Sequence, residues 1–479
     1  PGGRDKHPAA QRGWPVGRNA GTRLPVLRSD LHYLEDVAMT SFNGYPVTLV
    51  MRSGLQIRSD HVETMFQLGL QIHLLTEDTT AKSDPRYASV TIVSPDTEIG
   101  ELVERIVRLL KSTGSQFAVT FLETDIVAVG RANERHGVTW SRPAADETAR
   151  DKARQRAHLR ASGCPSPVSV EITEMPVSAS VFDLTGTPCI VKPTRANRSW
   201  LVELVKDISR LHEVLESIHQ LAISGERHFY DEGTPATWAL VEEYLPGEEI
   251  TCDGVVVDGQ FFLGGIHSKE LVNPPWFEED LYTLPYGDIE TEAEISAVMD
   301  VLTRTLDLRA ALVNAEFRRA ADGQFKVVEF STRISGGHVY RNIRDVHNVD
   351  LVRIFIEAAA GRTDTARELA AARHPGRLAT CIKFLYRSGL VIENSIGDAI
   401  RDPAFRQYYQ LARKGQQIRC APDGFDICGI VSVWGPYIPQ EHPSGIRETA
   451  AKVAGQLNVD IKPFTSDGEQ PAQPTETRL

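Results

Sequence analysis

The sequence predicts a chain of mixed α/β and α+β class, with an open, mainly parallel sheet first and a larger antiparallel region behind it. Three observations carry this reading. Strand and helix periods alternate from Pro46 onward, and two Asp-Gly dipeptides, Asp258-Gly259 and Asp322-Gly323, each join a pair of apolar-alternating runs. A length of 479 residues also exceeds what one hydrophobic core fills, so two to four domains are expected.

Residues 1–45 read as a flexible tail, rich at first in Gly, Pro and Arg and without apolar periodicity. VTLVM then reads as a buried strand, the segment from His61 to Leu68 as an amphipathic helix, and QIHLL as the next strand. ASVTIV, a helix around GELVERIVRLLKS and QFAVTFL continue the pattern to Pro143. No glycine-rich fingerprint follows the first strand, which argues against dinucleotide binding there. One helix is expected over ADETARDKARQRAHLRASG, capped by Asp146 and closed by Gly163. PCIVKP, WALVEEY, EITCDGVVV and QFFLGGI read as one antiparallel meander. Thr291 and Glu294 match a capping box, and a further helix runs from Asp350 toward Gly361. Beyond Arg377 short strands and one late helix lead to a polar end.

Composition narrows the function. With 41% hydrophobic and 24% charged residues the chain is ordinary globular material, and no stretch nears the roughly 18 apolar residues of a membrane span. A net charge of -12 disfavours nucleic acid and anionic lipid and favours small-molecule partners. The six cysteines show no CxxC or zinc-like spacing and are expected as reduced thiols in a cytoplasmic protein. The 40 Arg against 12 Lys hint at a G+C-rich bacterial genome.

ALVNAEFRRAADGQFKVVEFSTR holds the densest chemistry. A two-residue turn at Asp322-Gly323 sets Ala321 opposite Gln324, Glu316 opposite Glu329 and Asn314 opposite Ser331. Two carboxylates then repel across the ladder unless something neutralises them. Alternation puts Asn314, Glu316, Arg318, Glu329, Ser331 and Arg333 on one face, and Val313, Ala315, Phe317, Val328 and Phe330 on the other. The polar face suits a hard divalent cation whose remaining ligands are phosphate oxygens and water, with Arg333 beside it as an anion clamp. The plain alternative is a solvated face with salt bridges to Arg318 and Arg319.

Lys192 ends the apolar strand PCIVKP, where burial favours pairing with an anion, and VEEYLPGEE brings four acidic residues to a Pro-Gly turn. With the carboxylate hairpin, in this order and at these separations, the set resembles the ATP-grasp superfamily from about Val47 to Phe464. The resemblance implies an N-terminal α/β domain at 46–143, an ATP-grasp nucleotide-binding and catalytic domain at 144–361 with a clamp of two antiparallel sheets, a closing α+β domain at 362–464, and a tail at 465–479. It further implies that Lys152 and Lys192 contact ATP phosphates and that the backbone of Glu243, Tyr244 and Leu245 meets the adenine edge. Glu242 and Glu249 would reach the ribose, and Lys269 would be a further phosphate lysine acting in catalysis with Arg333. Glu316, Glu329 and Ser331 would hold Mg²⁺ or Mn²⁺. The loop PTRANRSW has no glycine to lay over the triphosphate, which leaves Arg198 and Ser199 in that role, and His338 is a candidate base.

The segments RLATCIKFLYRSGLVIENSIGD and CGIVSVWG are similar to the C-terminal part of L-amino acid ligases. That implies a carboxylate–amine ligase of amino-acid or natural-product metabolism, which forms an acyl phosphate and releases ADP and phosphate. The expected partners are a small carboxylate and a small amine, with the oligomeric state open, a homodimer included. Biotin carboxylases and purine-pathway ligases share the clamp and are the alternative enzymes. A nucleotide-binding module without catalysis is the alternative of another class.

Overall fold

The computed structural model describes residues 42–196, 199–224, 235–271, 277–374, 376–420, 424 and 426–464. Most of the two expected tails, and Arg198, lie outside the described residues. Phe42, inside the expected N-terminal tail, is buried in the main core.

The first unit runs β1 (Pro46–Val50), α1 (Ser59–Gln67), β2 (Gln71–Thr76), β3 (Ser89–Ile92), α2 (Ile99–Thr113), β4 (Ala118–Val119) and α3 (Ile126–His136). Its strands pair in parallel in the order β3-β2-β1-β4. Continuous apolar runs suit strands covered on both faces, and Val47, Leu49 and Val50 are wholly buried. Leu102, Val103, Ile106, Val107 and Leu110 line one side of α2 and pack on this sheet, and Gly114, at φ 68°, ends the helix in the left-handed region. The strand order turns back between β1 and β4, so the loops at their carboxyl ends border the crevice where open α/β sheets receive ligands.

The expected single helix after Pro143 is two, α4 (Pro143–Arg150) and α5 (Lys152–Ser162). Asp151 breaks it, since its extended backbone and its carboxylate, which accepts from Ala153 N and Arg154 N, make it the cap of α5. Asp146 is therefore no cap; its carboxylate accepts from Thr332 Oγ1 at 2.6 Å. Gly163 does close the helix, at φ 73°.

The expected meander divides between two sheets. β5 (Ser169–Ile172), α6 (Val181–Thr185), β6 (Cys189–Pro193), β7 (Glu203–Val205), α7 (Ile208–Ser224) and β8 (Ala239–Glu243) form a small sheet of order β5-β8-β6-β7. Leu211, Val214, Leu215, Ile218 and Ala222 of α7 pack on Val191, Val205 and Val241. β9 (Glu249–Val257) and β10 (Gln260–Leu271) instead begin the large sheet, joined through Asp258 and Gly259, both at positive φ, as a two-residue hairpin turn requires. β11 (Glu279–Leu284), α8 (Ile289–Thr305), β12 (Ala310–Arg319) and β13 (Phe325–Ser331) follow. The cap of α8 is Asp288, which accepts from Thr291 N at 2.9 Å; Glu294 turns away and accepts from Phe325 N.

After α9 (Val339–His347), α10 (Leu351–Ala359) and α11 (Thr363–Ala371) come β14 (Leu378–Leu385), β15 (Gly389–Ser395), β16 (Phe405–Gln410), β17 (Gln417–Ile418), β18 (Gly429–Pro436), α12 (Ser444–Ala454) and β19 (Asn458–Lys462). β14, β18 and β16 complete an eight-stranded sheet of order β13-β12-β9-β10-β11-β14-β18-β16, and only β17-β15-β19 stand apart. No helix among the described residues is long and apolar enough to cross a membrane.

The hairpin β12–β13 reaches its expected pairing by another route. Ala320 N–H donates to Gln324 O at 2.8 Å and Gly323 N–H to Ala320 O at 3.0 Å, so the loop has three residues, Ala321 to Gly323, with Gly323 at φ 91°. Ala321 thus does not face Gln324, and near the turn Phe317 faces Val327. A bulge at Val328 takes up the extra residue, after which Glu316 faces Glu329 and Asn314 faces Ser331 as expected. The bulge also corrects the core face: Val327, not Val328, is buried with Ala315, Phe317 and Phe330. A Cβ at Gly323 would meet no heavy atom within 4 Å, so only its backbone angle resists substitution. Gly323→Ala is expected to lower the unfolding free energy by about 1 kcal/mol in a urea titration. An unchanged midpoint would contradict the left-handed assignment.

Candidate active site

Glu316 and Glu329 sit on adjacent strands as a like-charge pair, 27% and 35% exposed, and each has its own lysine. Lys269 Nζ lies 2.9 Å from Glu316 Oε1 and 2.9 Å from Glu249 Oε1; Lys152 Nζ lies 3.0 Å from Glu329 Oε1. Burial within the cleft first, then Glu249 and Glu329, push the Glu316 carboxyl up to about 7 against the pull of Lys269. At Glu329 burial is outweighed by Lys152, Lys192 and Arg333, which hold that carboxyl below the ordinary range. For Lys269 the acids Glu249 and Glu316 outweigh burial and keep the ammonium charged.

A second ion cluster ties the small sheet to the edge of β13. Arg156 grips Glu242 with two contacts, at 2.6 and 3.2 Å, and Lys192 Nζ lies 2.7 Å from the same carboxylate. The bulge at Val328 turns a carbonyl toward them, which accepts from Arg156 Nη2 at 2.6 Å and from Lys192 Nζ at 3.4 Å. Burial, then Arg156 and Lys152, lower the Lys192 ammonium despite Glu242, while Arg156 and Lys192 overcome burial at Glu242 and lower its carboxyl. Gln155 caps the same edge, exchanging bonds with Phe330 N and O, both at 3.1 Å. Sequence reasoning missed Gln155 and Arg156. Their signal was spacing, since Lys152, Gln155, Arg156 and Leu159 share one helix face.

Glu242, expected at the ribose, has both oxygens held by buried cations. Glu249 bonds Lys269 and lies 3.4 Å from Arg318 Nη1. At the turn after β8, Glu243 N–H donates to Val168 O, its carboxylate meets Lys326 at 2.9 Å, Leu245 is buried, and the Tyr244 ring lies under Arg318. Ser199 and Leu201 take φ of 54° and 55°, so non-glycine residues adopt the left-handed angles of the loop after Lys192. The base of that loop is fixed by Lys152 Nζ donating to Ala196 O at 2.8 Å and by Arg195 Nε at 2.9 Å from Asp151.

Arg333 Nε lies 2.7 Å from Glu123 Oε2, which also accepts from Ser331 Oγ at 2.8 Å. Ser331 is thus turned to an acid of the first unit rather than toward the carboxylate pair, and among the described residues no three His, Cys, Asp or Glu side chains gather into a metal cage. Glu123 was missed in the sequence; its signal was its place at the carboxyl end of β4, bordering the crevice. Asn314 is spent inward on Thr251 Oγ1 at 2.6 Å. His338 is corrected as a base: it is wholly buried, stacked on Tyr409 at 4.0 Å, bonded to Ile430 O and pushed down to about 3 by burial.

Paired carboxylates, each with its own lysine, thus lie between two antiparallel sheets. Residues 185–341 match the family model of the ATP-grasp domain. Alanine–anticapsin ligase of Bacillus subtilis (strain 168) is 26% identical over 270 residues, 54% of this chain and 56% of that protein. The chain thus spans little more than half the length of that curated relative. The L-amino acid ligase from Bacillus licheniformis superposes with a TM-score of 0.71 at 16% identity, covering 88% of this chain and 99% of that one. The biotin carboxylase domain of Hydrogenobacter thermophilus 2-oxoglutarate carboxylase, in complex with MgADP, ADP and bicarbonate, does so at 0.66 and 15%, covering 87% and 91%. The family match is thus to an ATP-grasp domain over about a third of the chain, and the chain as a whole shares its fold with these two enzymes.

Replacing Glu242 by Gln leaves Arg156 and Lys192 without their shared anion. Glu242→Gln is expected to destabilise the protein by about 3–5 kcal/mol in denaturant unfolding. A loss below about 1 kcal/mol would mean that water already neutralises the cluster.

Proposed function

We propose that this chain is an ATP- and Mg²⁺-dependent carboxylate–amine ligase that forms an acyl phosphate and releases ADP and phosphate. The facing pair Glu316 and Glu329 carries the reading: two crowded carboxylates, one pushed up to about 7, make a donor set that gains from a hard cation. The fit rests on these two residues, and Ser331 would join them only by turning its hydroxyl away from Glu123. An ion there, Mg²⁺ or Mn²⁺, would share its remaining ligands with phosphate oxygens and spread their charge.

Around that pair each residue has a task. Lys152, Lys192 and Lys269 neutralise phosphate oxygens, and Glu242 keeps Lys192 aimed through the contact at 2.7 Å. The backbone of Glu243, Tyr244 and Leu245 takes the adenine edge, Glu249 the ribose, and Ser199 the phosphate side of the loop. Arg333, released from Glu123, binds the reacting carboxylate and then the oxyanion formed as the amine attacks and the C–O bond to phosphate breaks. His338 does not serve as the base, since it is sealed in the core. A role in amino-acid or natural-product metabolism is supported by alanine–anticapsin ligase, whose name states a ligase acting with an amino acid.

Glu329→Gln is expected to lower substrate-dependent ADP release at least ~10²-fold, read in a coupled assay with pairs of amino acids. Turnover equal to wild type would remove the ion-binding role. The wild type should respond to amino-acid pairs and not to bicarbonate; the reverse response would move the chain to the carboxylating ligases.

A further inference from the structure

Asp253 on β9 stands outside the machinery above. Its side chain is wholly buried, and among the described residues the hydrogen bonds that reach it come from neutral donors: Ser335 N at 2.6 Å, Ser335 Oγ at 2.9 Å and Asn314 Nδ2 at 3.3 Å. Burial pushes the carboxyl up to about 6 against these donors and the field of Arg333. Asparagine would fill the same shape without the cost of burying a charge. A charge kept in such a place asks for a task beyond packing.

The task shows in the peptide between Ile334 and Ser335. Its N–H donates to Asp253 Oδ1 at 2.6 Å, and its C=O accepts from Arg333 Nη1 at 2.9 Å. In a trans peptide these two groups point in opposite directions, so one flat unit lies in series between an anion and a cation. Hydrogen bonds in series polarise one another, and the anion makes the carbonyl a better acceptor for the guanidinium. The next carbonyl is fixed as well: Ser335 O accepts from Nη1 of Arg58 at 3.0 Å, and Arg58, in the turn from β1 into α1, also donates from Nε to Phe121 O at 3.1 Å. Against burial, Glu123, Glu329 and Asp253 hold the Arg333 guanidinium above its ordinary value.

We propose that Asp253 is a positioning residue for Arg333, acting through the peptide between Ile334 and Ser335 to keep the guanidinium aimed when the reacting carboxylate takes it from Glu123. The proposal rests on the ligase reading. Arg333 has Glu123 on one side and its own loop on the other. A carboxylate that takes the place of Glu123 leaves the bond to Ile334 O as the one that fixes the plane of the fork. A guanidinium pairs with a carboxylate, and later with the oxyanion, only while that plane is held. Asp253 itself touches neither substrate.

The test measures ADP release and, separately, ADP binding by calorimetry. Asp253→Asn, which keeps the shape and removes the charge, should lower kcat about 10- to 100-fold, the worth of a charge-assisted hydrogen bond. The KM for ATP and the affinity for ADP should stay at their wild-type values. Arg333→Lys supplies the background, because an ammonium cannot bond Ile334 O and a carboxylate in one plane. If Asp253 acts through Arg333, adding Asp253→Asn to Arg333→Lys should lower kcat by less than about 3-fold more. A further loss as large as in the wild type would mean independent action and overturn the proposal, as would an unchanged kcat in Asp253→Asn. Weakened ADP binding in that variant would make its role that of the fold and overturn it too. A wild type that binds ADP but forms none from ATP with any acid and amine would remove the ligase reading instead, an outcome seen before any variant is made.

Discussion

The like-charge contact between Glu316 and Glu329 is the constraint around which the rest of the molecule is arranged. Opposed carboxylates in an antiparallel ladder repel, and this pair is only partly open to water. The chain answers with lysines from different elements, Lys152 at the start of α5 and Lys269 on β10. Each brings further acids or carbonyls with it, so the charges form a chain from the small sheet, through α5, to the large one. Such a network ties the two sheets together through charged contacts that stiffen one another.

Contacts one step removed from the carboxylate pair fix how far the parts can drift. Arg156 and Gln155 clamp the edge of β13, and the bulge at Val328 supplies the carbonyl that receives Arg156 and Lys192. Glu123 and Arg58 carry the first sheet onto the loop beyond Arg333. β13 is thus held on both sides by side chains that do not touch the carboxylate pair.

Much of this was legible in the sequence, for physical reasons that differ from residue to residue. Lys192, Lys269, Glu316 and Glu329 lie on strands whose period of two fixes the face, and the structure gathers them. The hairpin register was right at the carboxylates only because a three-residue loop and a bulge cancel, and neither leaves a mark in the alternation of side chains. Asp146 looked like a cap because Asp151, one turn later, was read as helix interior. The partners of Glu123 and Arg58 were not legible, since the contacts of Glu123 with Ser331 and of Arg58 with Ser335 join residues more than 200 positions apart. His338 followed two glycines and seemed loop-like by pattern, but packing against Tyr409 decided otherwise.

The carboxylate pair as a seat for a divalent ion can be tested without turnover. Water-proton relaxation during titration with Mn²⁺ and a non-hydrolysable ATP analogue reports ion bound at the protein. The account predicts an enhancement in the wild type that is lost in Glu316→Gln, while the analogue alone still binds. The same enhancement in both proteins would contradict it.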